Sequence, residues 1–232
     1  MDVLLNTPPL NVQENMALDE QIVQLRPQAV TLRFYNWVPG PAVTFGYSQF
    51  VQEVRHTLQE RRFAGPYVRR PTGGGMVFHT DDLTFSLVFG SNNTPTEIYQ
   101  KLHTTILAQL RGEGLSARVF DKPLPASAYA PSGPDGASAC FMRPVKNDLL
   151  TQDGKKILGG AIRRFGNTVL YQGSLQCPDA RRNPLFRRAV IEGVRTFLAV
   201  DLRPSACGAD RLARVRQVAA EKYAAKEWTE KF

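Results

Sequence analysis

Tyr67-Val-Arg-Arg70-Pro-Thr72-Gly73-Gly74-Gly75-Met76-Val-Phe-His79-Thr-Asp-Asp-Leu83-Thr-Phe-Ser-Leu-Val-Phe89-Gly90 is the stretch around which the rest of the chain is organised. Arg69 and Arg70 end a short run of strand character, and Met76 to Phe78 and Leu83 to Phe89 read as further strand. Three unbroken glycines stand between. Glycine reaches positive φ without steric cost, so a turn is the plainer explanation. A tight hairpin needs only two such residues, however. The third points to a place where another group lies against bare backbone. His79, one of three histidines, follows at once. No Gly-Lys-Ser/Thr completes a Walker A loop. The glycine spacing is not that of a dinucleotide fingerprint.

The chain has 232 residues, 43% hydrophobic and 22% charged, which is enough for a substantial core and ordinary for a globular protein. A single domain over 1–232 is expected. The formal net charge of +8 favours an acidic partner. The basic residues are spread along the chain and match no nucleic-acid-binding motif, so nucleic acid is not expected as that partner. Cys140, Cys177 and Cys207 are odd in number and irregularly spaced, forming neither a disulfide framework nor a metal-binding pattern. The N-terminus lacks a basic region before an apolar core, and no run reaches membrane-spanning length. A reducing cytoplasm is the expected location, with no membrane partner.

Asn11 to Leu25 predicts an amphipathic helix stopped by Pro27. Thr31 to Trp37 and Val43 to Tyr47 predict strands across the Pro39-Gly40-Pro41 turn, and Phe50 to Arg62 a helix. Thr94 to Leu110 predicts the clearest helix, with a capping box from Thr94 and Glu97 and Pro95 at its first position. His103 lies on it, away from any motif, and reads as structural or solvated. Asp121 to Ala139 is a Pro-, Gly- and Ser-rich loop without periodicity, leading into Cys140. Asn147 to Leu150 and Lys155 to Ile162 predict paired strands across Asp153-Gly154. Thr168 to Leu175 predicts another strand, and Asn183 caps a helix running from Pro184 to about Leu198. Arg211 to Glu230 predicts a last helix, basic on one face.

Several of these words resemble the biotin/lipoate protein ligase superfamily, from about Asn11 to Trp228. The Arg69-Arg70-x-Thr72-Gly73-Gly74-Gly75-x-Val77-x-His79 run is similar to its central motif. Asn15-Met-Ala-Leu-Asp-Glu20 resembles its opening helix, and Gly154-Lys155-Lys156-Ile157-Leu-Gly159-Gly160-Ala161 its lysine motif. The resemblance implies an α+β (mixed α/β) fold: a central mixed, mainly antiparallel sheet flanked by helices, as in class II tRNA synthetase catalytic domains. It implies an acyl tunnel between the Gly73–Gly75 loop and the Lys156 hairpin. Arg70, Thr72, Gly73, Gly74, Gly75 and His79 would contact the substrate from one side, and Gly159, Gly160 and Ala161 from the other. Lys156 would stabilise the oxyanion at the acyl carbonyl. Strand alternation sends Lys155 and Lys156 to opposite faces, so only one can enter a pocket.

Two enzymes share that pocket. The ligase-fold octanoyltransferases carry a Cys-Phe-x-x-Pro element, matched here by Cys140-Phe-Met-Arg-Pro144. The resemblance makes Cys140 a nucleophile that takes octanoyl from acyl carrier protein. It then hands the group to the lysine of lipoyl domains, those of 2-oxoacid dehydrogenase complexes or the glycine cleavage H protein. No cofactor is required, since a thioester drives amide formation. Lys156 and His79 would favour the thiolate. The alternative is a lipoate–protein ligase, which needs ATP and Mg. Gly75, and Lys146-Asn147-Asp148, lean towards it; Cys140 and Thr80 lean away. A non-catalytic member that binds acyl chains or carriers is the third possibility.

Overall fold

The computed structural model describes residues 1–25, 29–122 and 144–232. Pro27, most of the 121–139 loop and Cys140 lie outside the described residues. An eight-stranded sheet carries the fold. Its strands are β1 (Val3–Asn6), β2 (Thr31–Phe34), β6 (Leu83–Gly90), β7 (Ala117–Val119), β8 (Leu149–Thr151), β9 (Lys156–Phe165), β10 (Thr168–Leu175) and β11 (Arg203–Ala206), in the spatial order β11-β1-β2-β6-β10-β9-β8-β7. The two pairings of β1 are parallel, and all pairings from β2 to β7 are antiparallel. A second, three-stranded sheet is built from β3 (Ala42–Phe45), β4 (Tyr67–Arg69) and β5 (Val77–His79), in the order β4-β3-β5. The expected mixed, mainly antiparallel architecture is therefore the observed one. The small second sheet was not foreseen.

The long strands alternate between two buried faces. Val169, Tyr171 and Leu175 of β10 pack with Phe85 and Leu87 of β6 under α3 (Pro95–Gly112) and α4 (Pro184–Leu198). Leu170 and Val88 point the other way, towards α1 (Val12–Gln24) and α5 (Ala209–Val218). Because both faces are covered, all eight residues of β10 are buried. On the second face, however, Thr84, Ser86, Gln172 and Ser174 are polar and buried. Polar groups on a buried face need partners, and they mark where the site lies.

The predicted helices hold closely where caps define them. Asn11 and Thr94 each close a capping box, with Glu14 and Glu97, and Asn183 accepts from the Leu185 amide before Pro184 opens α4. Each such cap contributes about 1 kcal/mol. The Phe50–Arg62 helix is α2 (Val51–Glu60). The predicted C-terminal helix is corrected. It breaks into α5, a π-helical turn at Ala219–Tyr223 and α6 (Lys226–Thr229), because Ala225 is extended. Tertiary contacts decide this: Tyr223 is buried and donates to Glu20, and the Trp228 indole donates to the Arg69 carbonyl.

The strand predicted to reach Trp37 stops at Phe34. Beyond it, Trp37 turns to stack on His79 at 4.7 Å. The strand predicted to reach Tyr47 stops at Phe45, because Gly46 meets the glycine loop.

Candidate active site

Arg69, which ends β4, and Arg70, just beyond it, diverge. Arg69 is fully buried and donates to the carbonyls of Tyr47, Gln49, Trp228 and Thr229, fastening the C-terminal segment to the small sheet. Arg70 turns the other way. Its Nη2 donates to the carbonyls of Gly73 and Gly75, both at 2.7 Å, and its Nη1 to Thr44 Oγ1. One guanidinium thus moulds the loop, as its planar fork allows.

Gly74 has φ +84°, the left-handed region that favours glycine. Its carbonyl oxygen lies 1.7 Å from where a Cβ on Gly46 would sit. The expected close approach is therefore one of backbone on backbone, and the bare backbone that allows it is that of Gly46, outside the glycine run. A Cβ on Gly74 itself would point at Arg70 Nη2, 3.1 Å away, and at the Ala161 methyl, 3.9 Å away.

Ala161 lies across a cleft from that loop. The cleft encloses about 670 Å³, its open mouth included. Gly74, Gly75, Met76 and Arg70 form one wall, and Gly159, Gly160, Ala161 and Gly173 the opposite one. Gly160 pairs with Gly173 across β9 and β10. A Cβ on either would strike the Tyr171 ring, at 2.4 and 2.6 Å, so the two glycines let that ring lie flat beneath the floor.

Lys156 opens β9 and folds back over the floor. Its Nζ is 2.8 Å from Asp148 Oδ2, with both side chains largely buried. A Cβ on Gly159 would lie 2.6 Å from that Nζ, so the glycine makes room for the cation. Lys155 is exposed and lines no part of the cleft. One lysine of the pair thus lines the cleft, and it is Lys156; Lys155 lies just outside β9.

His79 lies at the cleft's other side. Its Nδ1 donates to Asp82 Oδ2 at 2.9 Å, and its Nε2 meets Thr44 Oγ1 at 2.9 Å. Asp82 also accepts from Thr84 and Ser174, each at 2.6 Å. Burial alone would push the Asp82 carboxyl up. The neighbouring His79 ring and the hydrogen bonds from His79, Ser174 and Thr84 outweigh it and hold the carboxyl at about 2. The folded carboxyl gives up its proton more readily than the unfolded one. Its stabilisation is complete above the ordinary value of 3.8 and is lost as pH falls through about 2. Asp82→Asn is expected to cost about 3 kcal/mol at neutral pH, as for one broken partner of a buried pair. It should also flatten the fall in stability below pH ~4. Chemical denaturation across acid pH reads both, and an unchanged acid profile refutes the assignment.

Of the sequence-derived residues, the fold brings Arg70, Gly74, Gly75, His79, Lys156, Gly159, Gly160 and Ala161 to one cleft. Thr72 and Gly73 do not line it. Thr72 is fully buried, and its hydroxyl donates to Gln172 Oε1 at 2.6 Å. Cys140 lies outside the described residues. Asp82 was missed although it stands in the quoted stretch, and Asp148 was not singled out as the partner of Lys156. A cluster of Asp19, Arg33, Tyr35 and Gln172 was missed too. There Arg33 Nε donates to Asp19 at 2.7 Å and Gln172 Nε2 to Asp19 at 2.7 Å. Two polar residues four apart among the apolar residues of α1, Asn15 and Asp19, were the available signal for it. Among the described residues no group of three or more His, Cys, Asp or Glu side chains gathers as metal ligands do. Among them, too, no helix is long and apolar enough to cross a membrane.

Gly74→Val is expected to lower turnover at least tenfold while the protein stays folded. The added side chain would occupy the gap to Ala161, and its backbone conformation is strained. Unchanged kinetics in a folded variant would sink the tunnel assignment.

The chain is similar to several known proteins. Octanoyltransferase LipM of Brevibacillus brevis is 28% identical over 96% of this chain and 96% of its own. That of Symbiobacterium thermophilum is 35% identical over 74% of this chain and 64% of its own. Lipoate-protein ligase A bound with ATP superposes with a TM-score of 0.75 at 24% identity, over 99% of both chains. The bi-partite lipoate protein ligase of Thermoplasma acidophilum, described with its E2 lipoyl domain, superposes with a TM-score of 0.72 at 23% identity, over 99% of this chain and 96% of its own. These two structures establish the shared fold. A family model for the lipoyl protein ligase A/B catalytic domain matches residues 11–183. The chain belongs to the lipoyl protein ligase A/B catalytic-domain family.

Proposed function

We propose that this chain is an octanoyltransferase of protein lipoylation. The observation that carries acyl transfer is Lys156, held by Asp148 over the glycine floor of the cleft. Similarity to LipM octanoyltransferases over 96% of the chain supports it. The Cys140 thiolate attacks the octanoyl thioester of acyl carrier protein; the new C–S bond forms as the carrier's sulfur leaves as a thiolate. A lysine amine of a lipoyl domain then attacks the acyl-cysteine. The amide forms, Cys140 leaves as its thiolate, and the amine's proton passes to solvent. Each attack develops an oxyanion, which the Lys156 ammonium would stabilise. The net charge of +8 suits docking of acidic carriers and lipoyl domains, an attraction that weakens with salt.

The ligase is the second reading. Gly75 favours it, because the third glycine is the ligase form of the motif, and its carbonyl is clamped by Arg70. That reading requires ATP and Mg to make a lipoyl-adenylate. Intact mass spectrometry separates the two. Incubation with octanoyl-acyl carrier protein, without ATP or acceptor, should add one octanoyl group that hydroxylamine removes. Absence of that adduct, together with ATP-dependent transfer of free lipoate, would replace the octanoyltransferase with the ligase.

A further inference from the structure

His103 is fully buried on the apolar face of α3, beside Leu102 and Ile106. A buried imidazole in such a place must find partners for both nitrogens. Its Nδ1 is 2.7 Å from the Asn147 carbonyl, which can only accept, so Nδ1 carries the proton. Burial holds the ring's pKa down and keeps it neutral. Its Nε2 therefore accepts, and the Tyr171 hydroxyl, 2.7 Å away, donates to it. One side chain thus ties together two parts of the cleft. Tyr171 is the ring beneath Gly160 and Gly173. Asn147 adjoins Asp148, the partner of Lys156.

Asn147 needs such support. Its φ is +77°, a left-handed conformation that asparagine enters more readily than other non-glycine residues, though at some cost. The turn it occupies aims Asp148. The Val145 amide donates to Asp148 Oδ2 at 2.7 Å, and the same oxygen receives Lys156 Nζ at 2.8 Å. If the Asn147 carbonyl is released, the turn can relax and carry the carboxylate and the ammonium with it.

We propose that His103 is a positioning residue for the transfer step, holding the Asn147–Asp148 turn so that Lys156 stays over the cleft floor. The proposal rests on Lys156 acting at the acyl carbonyl. A displacement of about 1 Å at such a group costs about a hundredfold in rate. The amide nitrogen of an asparagine falls near the place of Nδ1, while that of a glutamine falls near Nε2. The two variants therefore keep opposite halves of the link.

The test is octanoyl transfer from octanoyl-acyl carrier protein to a lipoyl domain, with kcat and KM read separately. His103→Leu should lower kcat about a hundredfold with KM little changed. His103→Asn should recover most of that loss, and His103→Gln should not. In a Lys156→Ala background, His103→Leu should add little further loss, because both changes remove the same interaction. If His103→Leu does not fold, the contrast between asparagine and glutamine decides alone. Equal activity of those two overturns the proposal. So does a His103→Leu loss that is as large without Lys156 as with it. A fully active Lys156→Ala would instead overturn the reading of Lys156 itself.

Discussion

Lys156→Ala is expected to slow octanoyl transfer about 10²–10³-fold, the loss typical of removing an oxyanion-stabilising donor. The loss should appear in the single-turnover rate rather than in KM, because the cation matters most when charge develops on the acyl oxygen. Stability will change too. Asp148 is 2% exposed and would lose the cation 2.8 Å away, and leaving one partner of a buried pair costs about 3–5 kcal/mol. The two effects can be separated. Lys156→Ala combined with Asp148→Asn removes the unpaired charge and should regain most of the melting temperature, but none of the rate. Lys155→Ala should transfer like wild type, since that side chain is exposed and outside the cleft. Full activity in the folded Lys156→Ala protein, or a defect in Lys155→Ala of similar size, would show that the roles on this hairpin are wrongly assigned.

Cys140→Ala should abolish both the octanoyl adduct and ATP-independent transfer. An acyl-cysteine route has no detour once the thiolate is gone. The other two described thiols make poor substitutes. Burial pushes Cys177 up to about 11, and burial also raises Cys207. Neither presents appreciable thiolate at neutral pH. Cys177→Ala and Cys207→Ala should therefore keep the adduct, and iodoacetamide near pH 7 should alkylate Cys140 first. Peptide mapping of the alkylated protein identifies the site. If Cys140→Ala keeps full transfer that demands lipoate and ATP, the chain works as a ligase.

Short-range chemistry was legible before any coordinates. Capping boxes, the Pro184 helix start and the Asp153-Gly154 turn act within a few residues, so their outcome is written locally. The lysine that enters the cleft followed from the family's motif. The edge strand β11 and its neighbour β1 were not legible. Each has only four residues, and their pairing joins segments two hundred residues apart. The C-terminal helix was overrun for a similar reason. Its periodicity continues past Tyr223, but Glu20 and Arg69, distant in sequence, take over its partners there.

The glycine stretch shows the same division at the site. Its composition implied a close backbone approach, yet only the fold says that Gly46 is what approaches. Its two arginines look alike in sequence. They part where β4 ends, with Arg69 turned to the C-terminal carbonyls and Arg70 into its own loop. Asp82, Asp148 and His103 carry no motif that marks them. Each gains its role from partners supplied by other strands and helices, ninety-two residues away for the Ser174 bond to Asp82 and ninety-nine for that of Arg181. Residue order is enough to choose the family and the lysine. Which carboxylate holds that lysine, and which histidine holds the turn beneath it, is decided where buried polar groups from distant segments must satisfy one another.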